Sequence, residues 1–273
     1  MRTRLAGVFV LVLLAVSLAR AAEPKTYYLA LGDSLSVGVQ PSGHGDVNTS
    51  QGYADDLYAL YRLRVPGLGL AKLGCSGETS TTMIEGGICY SAPANQLDAA
   101  VAFLASHRVS LITLDIGGDD VYQCYSSADI SSCVSGALPT LGENLTYILG
   151  RLRAAAGETP IVAMNYYDPF LAVWLDGTAG KTLAQESVPA TDAFNEVLES
   201  VYGSFHVPVA DVAGAFRVDS TAVVRDLKIP VGTLLALTWT WMGAPAPFGP
   251  DIHPNAAGYV VIAGAFAKTI AAQ

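Results

Sequence analysis

The chain has 273 residues, 51% of them hydrophobic and 14% charged, with 27 glycines and 14 prolines. Such a composition excludes disorder and suits one well-buried domain. The formal net charge is -9 and no Lys/Arg patch breaks that balance, which excludes nucleic acid as a partner because phosphate neutralisation needs one.

Arg2 and Arg4 open a basic start, Leu5 to Leu18 is almost unbroken apolar sequence, and Ala19-Arg20-Ala21 supplies small residues at the positions a signal peptidase reads. Residues 1–21 are therefore expected to be a signal peptide and 22–273 the domain, and the charge becomes about -12 once Arg2, Arg4 and Arg20 leave. An apolar run of about 14 residues falls short of the ~20 that span a bilayer, and no later stretch is long and apolar enough. The product is expected to be secreted, without a stable membrane span, and monomeric. Four cysteines in an oxidising compartment read as two disulfides. Three pairings are formally possible; Cys75–Cys89 and Cys124–Cys133 are preferred because each closes a short loop within one Gly- or Ser-rich segment. The wide spacings lack the CxxC pair of a zinc site, so no metal is expected.

Short apolar runs predict strands over Tyr27–Leu31, Leu68–Leu73, Ser110–Ile116, Pro160–Asn165 and Val207–Asp211. Between them, helical spacing predicts helices over Gly52–Arg62, Ala94–His107, Leu138–Ala156, Thr191–Tyr202 and Ala256–Ala271. Leu97, Val101 and Leu104, and then Leu141, Leu145, Ile148 and Leu152, recur at steps of three or four. Such alternation implies βαβ units and a mostly parallel sheet in one α/β domain. Residues 213 to 250, with "WTWMGAPAPFGP", read as a long irregular connection that either carries function or packs Trp239 and Trp241 onto the core.

Ligands of a parallel sheet bind outside the carboxyl ends of its strands. Asp33 and Ser34 follow the first strand, Gly74-Cys75-Ser76-Gly77 the second, Gly117-Gly118-Asp119-Asp120 the third, and Asn165-Tyr166-Tyr167-Asp168 close the fourth. His253 comes in "GPDIHPNAAGY", just before the last helix. Tyr166, Tyr167, Phe170, Trp174, Trp239 and Trp241 are candidates to wall an acyl pocket or to fill the core.

These blocks resemble those of the GDSL or SGNH hydrolase family, in order and over nearly the whole mature chain. Gly32-Asp33-Ser34-Leu35 is similar to the nucleophile block, "LGCSGETS" to the glycine block, "GGDD" to the G-x-N-D block, and Asp251-Ile252-His253-Pro254 to the histidine block. The resemblance implies a three-layer αβα sandwich with a flavodoxin-like sheet, and a serine esterase or lipase that needs no cofactor. Ser34 would be the nucleophile and His253 its base, an imidazole titrating near neutral pH. The N–H groups of Ser34 and Gly74 would face the oxyanion. His107 and His206 read as structural, and His44 as a candidate to line the pocket. Ser76, beside a bridged Cys75, reads as a loop residue.

Two positions depart from the family pattern. Where the family has Asp three residues before His, this chain has Pro250, with Asp251 only two before. Either Asp251 reaches the imidazole by another backbone path, or a main-chain carbonyl such as that of Pro250 orients it; the reading leans to the carbonyl. Asp119 stands where an Asn would donate to the oxyanion, so it must be protonated, turned away, or replaced by a donor such as Asn165. The leading function is cleavage of carboxylic esters through an acyl-enzyme. The alternatives are an acyltransferase or carbohydrate deacetylase on the same residues and, from another class, a non-catalytic binding protein. The substrate partner is expected to be a small-molecule, lipid or carbohydrate ester.

Overall fold

The computed structural model describes residues 25–273, so the expected signal peptide lies outside the described residues. Five strands form the central sheet: β1 Thr26–Gly32, β2 Gly69–Lys72, β3 Arg108–Asp115, β4 Ile161–Met164 and β5 Val209–Ala210. Their order is β2-β1-β3-β4-β5 and every pair is parallel. Tyr28 to Leu31 of β1 and Leu111, Ile112 and Leu114 of β3 are completely buried, as expected for strands covered on both faces. Helices Tyr53–Tyr61 and Ala256–Ala271 pack together as one layer. Gln96–Ser106, Ile130–Ala156 and Gly177–Ser204 pack together as the other. The expected αβα sandwich is therefore the fold, in the flavodoxin-like order. Its switch point lies between β1 and β3, where a crevice opens.

Local chemistry sets the helix boundaries. Asn255 caps the last helix by accepting from the N–H groups of Ala257 and Gly258 at 3.0 and 3.2 Å, so the helix begins at Ala256 as its sequence predicts. Two boundaries differ from expectation. The helices expected from Leu138 and Thr191 begin at Ile130 and Gly177, and run through Pro139 and Pro189. An interior proline costs ~3 kcal/mol locally. Upstream of each, however, the buried face continues at helical spacing, through Ile130 and Val134 and through Gly180, Ala184 and Ser187. Packing of these two long helices on each other overrides the local break.

The segment expected to be irregular is largely ordered. It holds helix Val231–Trp239, the antiparallel pair Val223–Val224 and Ile229–Pro230, and the turn Trp241–Gly243. Both expected disulfides, Cys75–Cys89 and Cys124–Cys133, are present. No helix among the described residues is long and apolar enough to cross a membrane.

Candidate active site

Ser34 opens the four-residue helix Ser34–Val37 directly beyond β1. Gly32 makes this turn possible. Its φ is +132°, and a Cβ there would lie 1.8 Å from the carbonyl oxygen of Asp115, so only glycine fits. Gln96 holds the turn from both sides, accepting from Gly32 N–H at 2.7 Å and donating Nε2–H to its carbonyl at 2.9 Å. Asp33 caps the helix through Leu35 N–H at 2.9 Å, and its other oxygen accepts from the Tyr166 hydroxyl at 2.6 Å.

A buried acid pair lies under Ser34. The β1–β3 register sets Gly32 opposite Asp115, whose carboxyl accepts from Ser36 N–H at 3.0 Å and from the Tyr53 hydroxyl. Burial first, and then the charge of Asp33, hold Asp115 well above the usual carboxylate range. Burial raises Asp33 as well, while its two donors, Leu35 N–H and the Tyr166 hydroxyl, favour its charged form. The packing fixes Ser34 from below while leaving it 8% exposed.

His253 comes from the far end of the chain to line the same cleft as Ser34. Its Nδ1 lies 2.8 Å from Asp251 Oδ1, the same oxygen that accepts the main-chain N–H of His253 at 2.8 Å. The loop is pinned on both sides. Trp241 N–H donates to the His253 carbonyl at 3.0 Å, and the Tyr167 hydroxyl donates to the Ile252 carbonyl at 2.7 Å. Burial alone would lower the His253 pKa, but the hydrogen bond and charge of Asp251, with Asp46 and Asp33 behind, outweigh it and hold it above its ordinary value. For Asp251 burial acts upward, and the contact with His253 outweighs it and holds the carboxyl below its ordinary value.

Ser34, Asp119 and His253 line one cleft. Apart from these three it is walled mainly by Leu35, Val121, Tyr122, Tyr125, Tyr166, Tyr167, Phe170 and Phe194. Tyr125 stacks on Phe170 at 4.3 Å and is held by Thr191 through a 2.8 Å hydrogen bond. The cleft continues outward past Ser76, Gly77, Asp46 and Asp251. Burial, reinforced by the charge of Asp33, pushes Asp119 up to about 7, so its carboxyl retains a donatable proton into the neutral range.

A model of the GDSL-like lipase/acylhydrolase family matches residues 30–261. The chain belongs to that family. No curated protein matches the sequence significantly. Solved structures do. A phospholipase A1 from Streptomyces albidoflavus is 22% identical with a TM-score of 0.58, over 90% of this chain and all of that one. An extracellular lipase from Streptomyces rimosus is 19% identical with a TM-score of 0.60, over 89% of this chain and 99% of that one. A carbohydrate acetylesterase from Sinorhizobium meliloti is 16% identical with a TM-score of 0.50, over 91% and 99%. At these identities the likeness shows the fold.

Against the GDSL blocks, the structure brings Ser34, Asp119, Asp251 and His253 together and leaves two expected residues outside. Gly74 does not line the cleft. A Cβ on it would lie 1.7 Å from Ser36 Oγ, so this glycine serves close packing behind the nucleophile turn. Gly77, three residues on, lies in the cleft wall with φ +81° and open space where a Cβ would point. Asn165 is spent elsewhere, donating to Glu199 Oε1 at 2.8 Å and Asp211 Oδ1 at 3.3 Å while accepting from Ala213 N–H. The leaning toward a carbonyl at Pro250 is also corrected, because a carboxylate oxygen of Asp251 sits on Nδ1.

His44 lies on the exposed ribbon turn and lines neither part of the cleft. Of the aromatic candidates, Tyr166, Tyr167 and Phe170 line the cleft. Trp174 lies under Lys181, Trp239 packs edge-on against Phe216, and Trp241 donates Nε1–H to Gln40 at 2.8 Å. Sequence reasoning missed Tyr122 and Tyr125, whose spacing just after "GGDD" puts both on one side of a turn. Asp46, Asp251 and His253 offer three ligand atoms within 4.8 Å of one another. A cation there would have to displace the Nδ1 proton that Asp251 holds, so these residues suit a general base better than a metal.

Proposed function

We propose that this chain is a secreted, monomeric carboxylic ester hydrolase working through an acyl-enzyme on Ser34, with residues 1–21 as its export signal and 22–273 as its domain. The observation that carries the reading is the convergence of Ser34, His253 and a protonatable Asp119 on one cleft, with Asp251 on the base. His253 Nε2 takes the Ser34 proton as Oγ attacks the carbonyl carbon, and Asp251 stabilises the imidazolium that forms. The N–H groups of Ser34 and Gly77 and the neutral carboxyl of Asp119 face the oxyanion, each donor worth ~2.7–4 kcal/mol on removal. The alcohol leaves with the proton from His253, water repeats the sequence, and the acid departs.

The apolar wall around Tyr125, Phe170 and Phe194 supports a hydrocarbon acyl group in the inner cleft, and favours an esterase or lipase over a deacetylase. The test is hydrolysis of p-nitrophenyl esters of graded chain length by the parent and by Ser34→Ala. Turnover by the parent, with a loss of ~10⁴-fold or more in the variant, is expected. An inert parent, or an unaffected variant, overturns the reading.

A further inference from the structure

We infer that Asp46 is a positioning residue for the base: a second carboxylate, delivered by a β-ribbon, that acts with Asp251 on the imidazole of His253. The inference rests on the reading of His253 as a general base. Asp46 lies on the ribbon formed by Val39–Ser42 and Gly45–Asn48, far in sequence from the histidine loop it meets. Its Oδ2 is 3.9 Å from His253 Nδ1, while Asp251 Oδ1 takes the hydrogen-bonding position at 2.8 Å. Asp251 thus acts through the bond and Asp46 through its charge, with burial and the charge of Asp251 holding the Asp46 carboxyl above its ordinary value and His253 acting against them.

The placement is built into the fold. The root of the ribbon is fixed twice: the Val39 carbonyl accepts from the Tyr259 hydroxyl at 2.8 Å, and Gln40 Oε1 accepts from Trp241 Nε1–H at 2.8 Å. Trp241 also grips the histidine loop, donating its N–H to the His253 carbonyl at 3.0 Å and accepting from Asp251 N–H at 3.3 Å. One tryptophan thus ties the ribbon to the loop. The antiparallel register, Gln40 opposite Val47 and Pro41 opposite Asp46, carries that anchorage to the carboxylate.

Four acids face His253 from four segments: Asp251 from its own loop, Asp46 from the ribbon, Asp33 from the nucleophile turn and Asp119 from the loop after β3. Asp33 is engaged by Tyr166 and Leu35, and Asp119 has its pKa pushed up to about 7. Asp46, with a side chain 43% exposed, is the one of the four most open to solvent and salt. Removing its charge makes the imidazole easier to deprotonate, so the base becomes available at lower pH.

The test follows kcat/KM against pH on a p-nitrophenyl ester, and the imidazole resonance of His253 by NMR, in the parent, Asp46→Asn and Asp46→Glu. A unit charge about 4 Å away, half in water, is worth about 0.5–1 pH unit. The acid limb and the NMR midpoint of Asp46→Asn are expected to move down together by that amount, with the maximum of the profile down about two- to threefold. Asp46→Glu keeps both near the parent, and about 1 M salt moves the parent toward the Asn variant. An unmoved limb and midpoint overturn the proposal, and so does a maximum that falls with no movement of the limb, since a ribbon of purely structural importance gives that result. If the parent turns over no ester while the NMR midpoint still moves, the hydrolase reading fails and the coupling of Asp46 to His253 stands.

Discussion

In the proposed mechanism Asp119 makes oxyanion binding dependent on a proton. An Asn amide donates at any pH, whereas a carboxyl donates only while protonated, and burial with the charge of Asp33 sets that limit at about 7. Two conditions then bound activity, because His253 must be neutral to accept and Asp119 neutral to donate. The expected kcat/KM profile of the parent is a bell whose alkaline limb belongs to Asp119. Asp119→Asn should push that limb out and raise activity at pH 8 about tenfold over the parent, the factor by which a group with a pKa near 7 has ionised. A profile across pH 5–9 checks this, and an Asn variant less active than the parent at neutral pH contradicts it. Residue types made Ser34 and His253 legible, since a serine nucleophile and an imidazole base cannot be replaced. The glycine of the second block was not, because "GCSG" holds two glycines and only backbone geometry separates them: Gly74 backs onto Ser36, Gly77 opens to the cleft. Asp46 carried no signal, being a lone acid in a polar loop.

At the scale of elements, the loop after β2 is held at both ends. Cys75 N–H donates to the Gly32 carbonyl at 3.0 Å, and its sulfur is bridged to Cys89, 14 residues on. The bridge thereby stiffens the Ser76–Gly77 wall of the cleft. The double variant Cys75→Ser/Cys89→Ser should lose about 3 kcal/mol of stability, the cost of opening a loop of this length, and should lose kcat more than it raises KM. Urea melts and steady-state kinetics check both, and an unchanged kcat separates the bridge from the site. The strands were legible because each is a short apolar run buried on both faces. The long helices were not legible past Pro139 and Pro189, because proline marks a local cost whereas packing of Ile130, Val134 and Ala184 is a property of the assembled layer. The ordering of residues 213 to 250 was hidden for the same reason.

The whole molecule carries acids in places that disfavour their charge. Asp115 is held well above its ordinary range, and burial pushes Asp119 and Asp168 up to about 7. A raised folded-state pKa contributes stability that is complete below the unfolded value near 4 and is lost as pH rises through the folded one. The protein is therefore expected to be more heat-stable at pH 5 than at pH 8.5, with a slope of up to about 1.4 kcal/mol per pH unit for each such group. Asp168→Asn should flatten that slope. Its amide can still accept from Phe170 N–H, as Asp168 does at 2.8 Å, and can donate to Ser187, which now bonds the carboxyl. Thermal melts across pH check it, and a parent that melts higher at pH 8.5 than at pH 5 contradicts the assignment.

The bond from Tyr259 to the Val39 carbonyl ties the β-ribbon that follows the Ser34 turn to the last helix. In the proposed mechanism the nucleophile lies near one end of the described chain and the base near the other, so the acylating pair needs both ends in place. A chain emerging N-terminus first holds Ser34 early, but holds no base until the segment around His253 has followed and docked. Ester turnover is in this sense a report on completeness: only a molecule whose two ends have met can cut.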